Sequence, residues 1–559
     1  MTDFDETFDF VIVGSGGGSM CAALLMRRLG KSVLIVEKTG LLGGTTARSG
    51  GVMWIPNNRF MKRDGAEDSF EKAALYLDAL VGDAADTPGA TRERRHAYLQ
   101  QAPRMIDFLV EQGIALDRID NWPDYYDERP GGSKRGRVVV ADPFDTNELG
   151  AWKQKLRTGF LSMNASMEEA LMVRTYKQGW AGRKEIVKIG FRTIAAKLTG
   201  KSYVAAGAAL QGRMLKAAVA AGVEMRTDTA VSSLIEADGA VTGIVVTVGD
   251  TTQRIRARLG VLVNAGGFSR NQRMRDQYQP GTRAEWSQVA EGDTGEMIEE
   301  MMRHGAAIAQ MEEMVGYQTS LTPGSEQDDV KPSMQATAAG PHAMLVDGTG
   351  VRYMNEGGSY MAFCKTMLER DKTTPSVPSW TVLDHQAMNG YMVAGTMPGT
   401  KKPQAWFDQG YGKKADTIEA LAGQMGVDPE TLRAQVDRFN GFVDADDDQD
   451  FHRGKRAYDH WLGDPYHKPS GTLGRIEKGP FYAFPTYPGD VGTYGGVVTD
   501  AKARVLRADG SVIPGLYATG ISTASVMGRV YPGAGSSVGP SFTWGYVAAK
   551  HAANADNMV

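Results

Sequence analysis

The stretch FDFVIVGSGGGSMCAALLMRRLGKSVLIVEK, residues 8–38, decides the fold. Residues 8–13 read as a buried strand, residues 19–29 as a helix and residues 32–36 as a second strand, the order of a βαβ unit. Between strand and helix lies a glycine turn, Gly14, Ser15, Gly16, Gly17, Gly18 and Ser19. Gly14 permits the tight turn, Gly16 lets the backbone approach a pyrophosphate, and the helix N-terminus behind them favours negative charge. Ser19 stands where such motifs carry a third glycine and is small enough for close helix packing. Glu37 ends the second strand 23 residues after Gly14, where a carboxylate can bond ribose hydroxyls, and Lys38 follows it. The agreement of these pieces predicts a nucleotide site in a Rossmann-like domain, and both FAD and NAD satisfy it.

The chain has 559 residues, enough for two or more domains. It holds 68 glycines, well above the usual share of about 7%, so many positions need positive φ or close backbone approach. Two cysteines, Cys21 and Cys364, with no spaced Cys/His cluster, exclude a disulfide framework and predict no metal site. The first strand begins within about eight residues of Met1, leaving no room for a signal peptide, and no apolar run approaches the roughly 20 residues of a membrane span. A cytoplasmic protein is expected. A net charge of −4 argues against a nucleic-acid partner.

A second loop, GLLGGTTARSGGVMW at 40–54, follows the ribose acid directly. It resembles the FAD proteins of the fumarate reductase and succinate dehydrogenase flavoprotein class. That resemblance implies FAD, wrapped at its pyrophosphate and isoalloxazine by Gly43, Gly44, Thr45, Thr46, Ser49, Gly50, Gly51 and Val52. Some members attach FAD through a histidine in this loop; none occurs here, so the flavin should be non-covalent. Three later pieces belong to the same pattern: a hairpin at 227–247 whose Ala230 and Val231 contact adenine, a strand at 260–271 ending in Ala265, Gly266 and Gly267, and GLYATGISTASVMG at 515–528 with Thr519 and Gly520 near the ribityl chain.

These pieces imply an α/β fold in which a Rossmann-like FAD-binding domain, residues 1–320 and 493–559, carries an inserted α+β catalytic capping domain, residues 321–492. The aspartate run at 444–450 reads as a solvated loop. Residues 151–205 hold eleven Lys or Arg against three Glu, and Ile186, Val187, Ile189, Ile194 and Leu198 recur among the charges at roughly helical spacing. With Trp152 and Trp180 as amphipathic anchors, this segment is expected to be a basic surface helix or subunit contact, or a peripheral attachment to the inner face of the membrane.

Across both domains the chain resembles the bacterial 3-ketosteroid Δ1-dehydrogenases, and the likeness lapses mainly in the basic segment 151–205, which reads as an insertion relative to the compact members. The resemblance rests on PDYYDERPGG at 123–132, RYMNEGGSY at 352–360 and YPGAGSSVGPSFTWGY at 531–546, in addition to the FAD motifs. It implies 1,2-dehydrogenation of a 3-oxosteroid with hydride passing to FAD, and an external electron acceptor, a quinone or another carrier. Its catalytic set maps onto Tyr125 as partner of the base, Tyr360 as the base, Tyr531 as the acid that holds the ketone, and Gly535 as the supporting amide. Tyr126, beside Tyr125, stands where the family often has histidine. The chemistry is coherent: a proton α to a ketone leaves only if charge developing on the oxygen is stabilised, so two donors must face that oxygen. A free tyrosine has a pKa of about 10, so a tyrosine base needs a lowered pKa or a partner. Ser536, Ser537 and Val538 lead into a helix expected near Pro540, with the serines as caps and the positive helix end toward the flavin.

Two other enzyme readings stand beside this one: a dehydrogenase of another steroid bond or cyclic ketone, and a reductase like fumarate reductase. The latter places an arginine five residues after the Asn of its NE motif. Counting from Asn355, this chain has Tyr360, which cannot supply the fixed charge that anionic substrates demand.

Overall fold

The computed structural model describes residues 4–82, 87–249, 251–325 and 330–556. Its larger sheet has eight strands. Along the main path they run Arg504–Leu506, Val512–Ala518, Thr251–Val263, Glu6–Val13, Val33–Val36 and Glu224–Arg226, and the hairpin Ala230–Ala237 and Ala240–Val248 pairs on Thr251–Val263. Glu6–Val13 lies parallel to both of its neighbours. A parallel sheet must be covered on both faces, which explains why Val33–Val36 is apolar throughout and buried throughout.

The helix Gly17–Arg28 follows the glycine turn and packs against the last helix, Val538–Ala552, which in turn packs on Arg92–Glu111. Small residues set this crossing. A Cβ on Gly545 would stand 2.2 Å from the Gly18 carbonyl oxygen, and one on Gly18 would stand 2.3 Å from the Ser541 oxygen. The last helix starts at Val538 rather than near Pro540, and neither serine caps it: Ser537 makes no capping bond, while the Ser536 hydroxyl bonds the backbone of Gly533 instead.

The second sheet has five antiparallel strands, Met314–Thr319, Phe481–Thr493, Ser379–Leu383 and Ala343–Val346 in order, with Lys413–Ala415 added on Phe481–Thr493. The helices Ile418–Met425 and Pro429–Ala445 close an apolar core over it with Met344, Val346, Leu432 and Phe481. Tyr487 lies inside the strand Phe481–Thr493 and packs on Trp286.

The aspartate run contains an exception to its expected solvation. Asp448 is buried, because Arg352 donates to it from Nη1 at 2.9 Å and from Nη2 at 2.7 Å. The same guanidinium bonds Glu356, which also accepts from Arg453 at 3.2 Å and from the Leu345 amide at 3.0 Å. Burial alone would raise the Glu356 carboxyl, but Arg352 and Arg453 outweigh it and hold it below the usual range. The cluster fixes the Asn355–Glu356 turn that leads into the helix Tyr360–Asp371. Glu356→Ala leaves two buried guanidinium groups short of a partner, and should cost about 3–5 kcal/mol of stability in chemical unfolding. A loss under about 1 kcal/mol, the range of exposed pairs, would contradict this.

Candidate active site

The carboxyl ends of the parallel strands open into a cavity of about 970 Å³. Where strands end and helices begin, backbone groups point outward unpaired, which is where such sheets bind ligands. The helix Gly17–Arg28 has Gly16 as its N-cap, which offers no capping side chain, and its Gly17 amide donates to Thr46 Oγ1 at 3.5 Å, so the positive end of the helix stands beside the cavity where an anion is favoured. On the cavity wall stand Gly14, Ser15, Gly16, Glu37 and Lys38, then Gly44, Thr45, Thr46, Ser49, Gly50 and Val52, then Val231, Ala265, Gly266, Gly520, Ser537 and Val538. Gly44 and Gly16 face each other so closely that a Cβ on Gly44 would lie 3.7 Å from Gly16, so a side chain there would narrow the cradle. These features fit FAD, and among the described residues no histidine or cysteine lines the cavity.

Several other residues expected at the cofactor do not line this wall. Gly17 lies under the Phe542 ring, Gly18 under the last helix, and the Ser19 hydroxyl accepts from Asn264 at 2.9 Å. Gly43 takes φ +110° in a tight turn, Gly51 abuts the backbone of Ala206 and Gly207, and Gly267 abuts Thr493. Ala230 is exposed on the hairpin, and Ser536 is buried in its own turn. Lys38 pairs with Glu296 and bonds Thr294 at 2.7 Å.

At the far end of the cavity three tyrosines from three distant segments converge. The ring centroids of Tyr360 and Tyr531 are 5.1 Å apart, those of Tyr125 and Tyr360 5.3 Å, and those of Tyr125 and Tyr531 6.1 Å. Tyr126, next in sequence to Tyr125, does not line the cavity. The Tyr125 loop is clasped to the Tyr531 loop: the Tyr125 amide and the Tyr76 hydroxyl both donate to the Pro532 carbonyl, at 2.9 and 2.7 Å. Asp124 beneath it accepts from Trp54 Nε1 and Arg137 Nη1, each at 2.8 Å, and burial pushes its carboxyl up to about 6.

The phenols differ in their surroundings. Burial pushes Tyr531 above its ordinary value, yet the Ser537 hydroxyl at 2.9 Å, Tyr360, and the backbones of Ser537 and Gly535 all favour its ionised form. Burial pushes Tyr360 well above its ordinary value, and the phenols of Tyr125 and Tyr531 beside it add to that. A hydroxyl ringed by donors gives up its proton more readily and donates better to a ketone; a hydroxyl without them makes the stronger base once ionised.

Several residues here carry no sequence signal beyond being aromatic. Tyr317 packs edge-on to Tyr360 at 5.5 Å, Tyr494 lies 5.7 Å from Tyr531, and Tyr458 lies 4.2 Å from Tyr125. Trp122 and Trp461 stack at 4.4 Å and make one flat wall of the cavity. Toward solvent the lining turns apolar, with Phe160, Leu161, Met163, Met167, Leu171 and Met397.

Residues 9–538 match the FAD binding domain family. The chain is 38% identical to a 3-oxosteroid 1-dehydrogenase of Mycolicibacterium smegmatis, over 97% of each. It is 32% identical to a 4-oxocyclohex-2-ene-1-carboxylate 5-dehydrogenase of Sinomonas cyclohexanicum, over 98% of this chain and 93% of that one. The crystal structure of 3-ketosteroid Δ1-dehydrogenase from Sterolibacterium denitrificans in complex with 1,4-androstadiene-3,17-dione superposes with a TM-score of 0.91, at 35% identity, covering 98% of this chain and 100% of that one.

Gly535 takes φ +86°, and a Cβ there would lie 2.2 Å from the Val52 oxygen. Gly535→Ala should therefore displace the amide beside Tyr531 and lower turnover by about a hundredfold or more in steady-state assays. Turnover within about threefold of wild type would show that this amide has no part in the reaction.

Proposed function

The chain belongs to the FAD-binding family of 3-oxosteroid 1-dehydrogenases, and from that premise we propose that it converts a 3-oxo-4-ene steroid to the 3-oxo-1,4-diene. The observation that carries this reading is the convergence of Tyr125, Tyr360 and Tyr531 at one end of a cavity whose other end fits FAD. The Tyr531 hydroxyl and the Gly535 amide donate to the carbon-3 ketone and stabilise the charge that gathers there. Tyr360 takes the proton from carbon 2, with Tyr125 bonded to its hydroxyl. FAD, when bound, supplies the acceptor for the hydride leaving carbon 1. An external acceptor, a quinone or another carrier, takes the electrons onward.

The stacked indoles of Trp122 and Trp461 on the cavity wall suit a fused ring system better than a single cyclohexenone ring. Tyr360 in place of an arginine disfavours a fumarate-like substrate. Anaerobic mixing with a 3-oxo-4-ene steroid should bleach the flavin and yield the 1,4-diene by mass spectrometry; absence of bleaching with any 3-oxosteroid would overturn the proposal. The pH profile follows from the phenols. Burial raises both phenols, so the ionised fraction of Tyr360 is small at neutral pH and grows with pH, and Tyr531, whose neighbours favour its ionised form more, serves as a neutral donor only below its own raised value. The flavin reduction rate should rise by about tenfold per pH unit from neutral into the mildly alkaline range. A plateau near pH 7 would contradict that assignment.

The basic segment favours a second, finer reading: we infer that the helix Trp180–Leu198 docks the enzyme on an anionic lipid surface. Trp180, Val187, Phe191, Ile194 and Leu198 fall within about 60° of arc on this helix. All five are exposed, Trp180 to 77%, Phe191 to 69% and Leu198 to 83%. Exposed Arg183 and Lys184 flank the stripe. Ile189 instead faces inward, and Trp152 is half-buried against the core, so neither belongs to it. No helix among the described residues is long and apolar enough to cross a membrane. The cavity mouth adds Phe160, 52% exposed, so a steroid with an alkyl chain could enter from the lipid side. The double change Phe191→Asp and Leu198→Asp should abolish sedimentation with phosphatidylglycerol vesicles. Unchanged sedimentation, or a wild-type dimer that the change splits, would overturn the lipid reading.

A further inference from the structure

Where the cavity wall turns apolar it carries a guanidinium, that of Arg174, set among Ala170, Leu171, Val173, Met392 and Leu462. Its central carbon stands 5.6 Å from the ring of Trp461, the indole that stacks on Trp122. Trp461 in turn packs on Tyr458 at 5.7 Å, and Tyr458 on Tyr125 at 4.2 Å, so two rings stand between the guanidinium and the tyrosines of the site. Arg174 belongs to the basic segment and follows the helix Met167–Val173 directly.

The group is fixed in place but lacks a counter-charge. Nη2 donates to the carbonyl oxygens of Trp461 at 2.7 Å and Gly463 at 3.4 Å, and with the indole beside it these hold the plane in one orientation. Nε is buried without a hydrogen-bond partner, and Nη1 has none among the described residues. Other cations of the wall are paired: Lys38 with Glu296, and Arg48 and Arg157 with Glu291 at 3.2 and 2.7 Å. Lys331 donates to the Ser325 carbonyl at 2.7 Å. Asp464, an acid whose charge reaches Arg174, forms no ion pair with it and accepts instead from the Tyr391 hydroxyl at 2.8 Å and the Tyr466 amide at 2.9 Å. Burial therefore weighs against the charge and draws Arg174 below its ordinary value. A half-buried cation in such a setting is stabilised by any anion that reaches it.

We propose that Arg174 is a specificity residue whose guanidinium receives a carboxylate, so that the preferred substrates are 3-oxo-4-ene steroids with a carbon-17 side chain ending in an acid. With the ketone held at Tyr531 and Gly535, on which this assignment rests, a rigid ring system points its carbon-17 substituent away from the tyrosines. The Trp122–Trp461 wall takes the rings, and Arg174 beside it takes the group beyond them. A neutral carbonyl would accept a hydrogen bond there but leave the charge uncompensated; a carboxylate does both, and bonds between ionised partners are roughly twice as strong as neutral ones. Tyr360 stands where a fumarate-like substrate would need its arginine, whereas Arg174 puts a cation beside the opposite end of the steroid.

The test uses the FAD-loaded enzyme with 3-oxochol-4-en-24-oic acid and its methyl ester, which differ at the charge. The preference for acid over ester, read as the ratio of their KM values, should fall about tenfold or more in Arg174→Gln. The loss should appear in KM and not in kcat, because the carboxylate is held equally in ground and transition states. Arg174→Lys, which keeps a cation, should retain part of the preference. An unchanged ratio in Arg174→Gln overturns the assignment, and so does an equal rise of both KM values, which marks Arg174 as a support of Trp461. If neither compound nor any other 3-oxosteroid bleaches the flavin of the wild-type enzyme, the dehydrogenase reading falls instead.

Discussion

The contact between Gly18 and Gly545 is the constraint on which the arrangement turns. The carbonyl of one lies where a Cβ of the other would have to stand, 2.2 Å away, so the first and last helices touch backbone to backbone. A side chain at either position would push the last helix outward and carry the turn before it, with Tyr531 and Gly535, away from the carboxyl ends of the parallel strands. Chain ends more than 500 residues apart thus build one cavity. The glycines of the nucleotide motif divide accordingly: Gly14 and Gly16 face the cavity, while Gly17 and Gly18 make room for another helix.

The second sheet contributes the third side of the site by a different kind of force. Buried Arg352 and Arg453 hold Glu356 and Asp448, and the loop they organise presents Tyr360 at the start of its helix. A charge cluster of this kind adds little net stability over an apolar one, but it fixes a geometry that an apolar cluster leaves loose. Burial then has a price at the site itself, since every phenol there is harder to ionise than in water. What separates Tyr531 from Tyr360 is the donors each hydroxyl receives, and Tyr531 receives more.

The FAD-binding turn was legible in the sequence because phosphate approach demands glycine at fixed spacing, and few other tasks do. The tyrosines of the three motifs were legible only through family resemblance. Tyr317, Tyr458 and Tyr494 were not, because an aromatic residue in a functional wall looks like any aromatic residue in a core. The aspartate run misled at Asp448: charge density reads as solvent exposure until a buried arginine, distant in sequence, is brought opposite. Trp152 and Trp180 look alike in a basic segment, and only packing sends one inward and leaves the other exposed. The serines before the last helix followed the cap pattern but were already engaged in the turn that shapes the site.

In the proposed reaction one steroid A ring is gripped by three phenols and an amide. A crystal structure of the FAD-loaded protein with a 3-oxo-1,4-diene steroid tests it most directly. The carbon-3 oxygen is expected within hydrogen-bonding distance of both the Tyr531 hydroxyl and the Gly535 amide, with the Tyr360 hydroxyl over carbon 2. A ketone oxygen turned toward Trp122 and Trp461, with the side chain at the tyrosines, would contradict it.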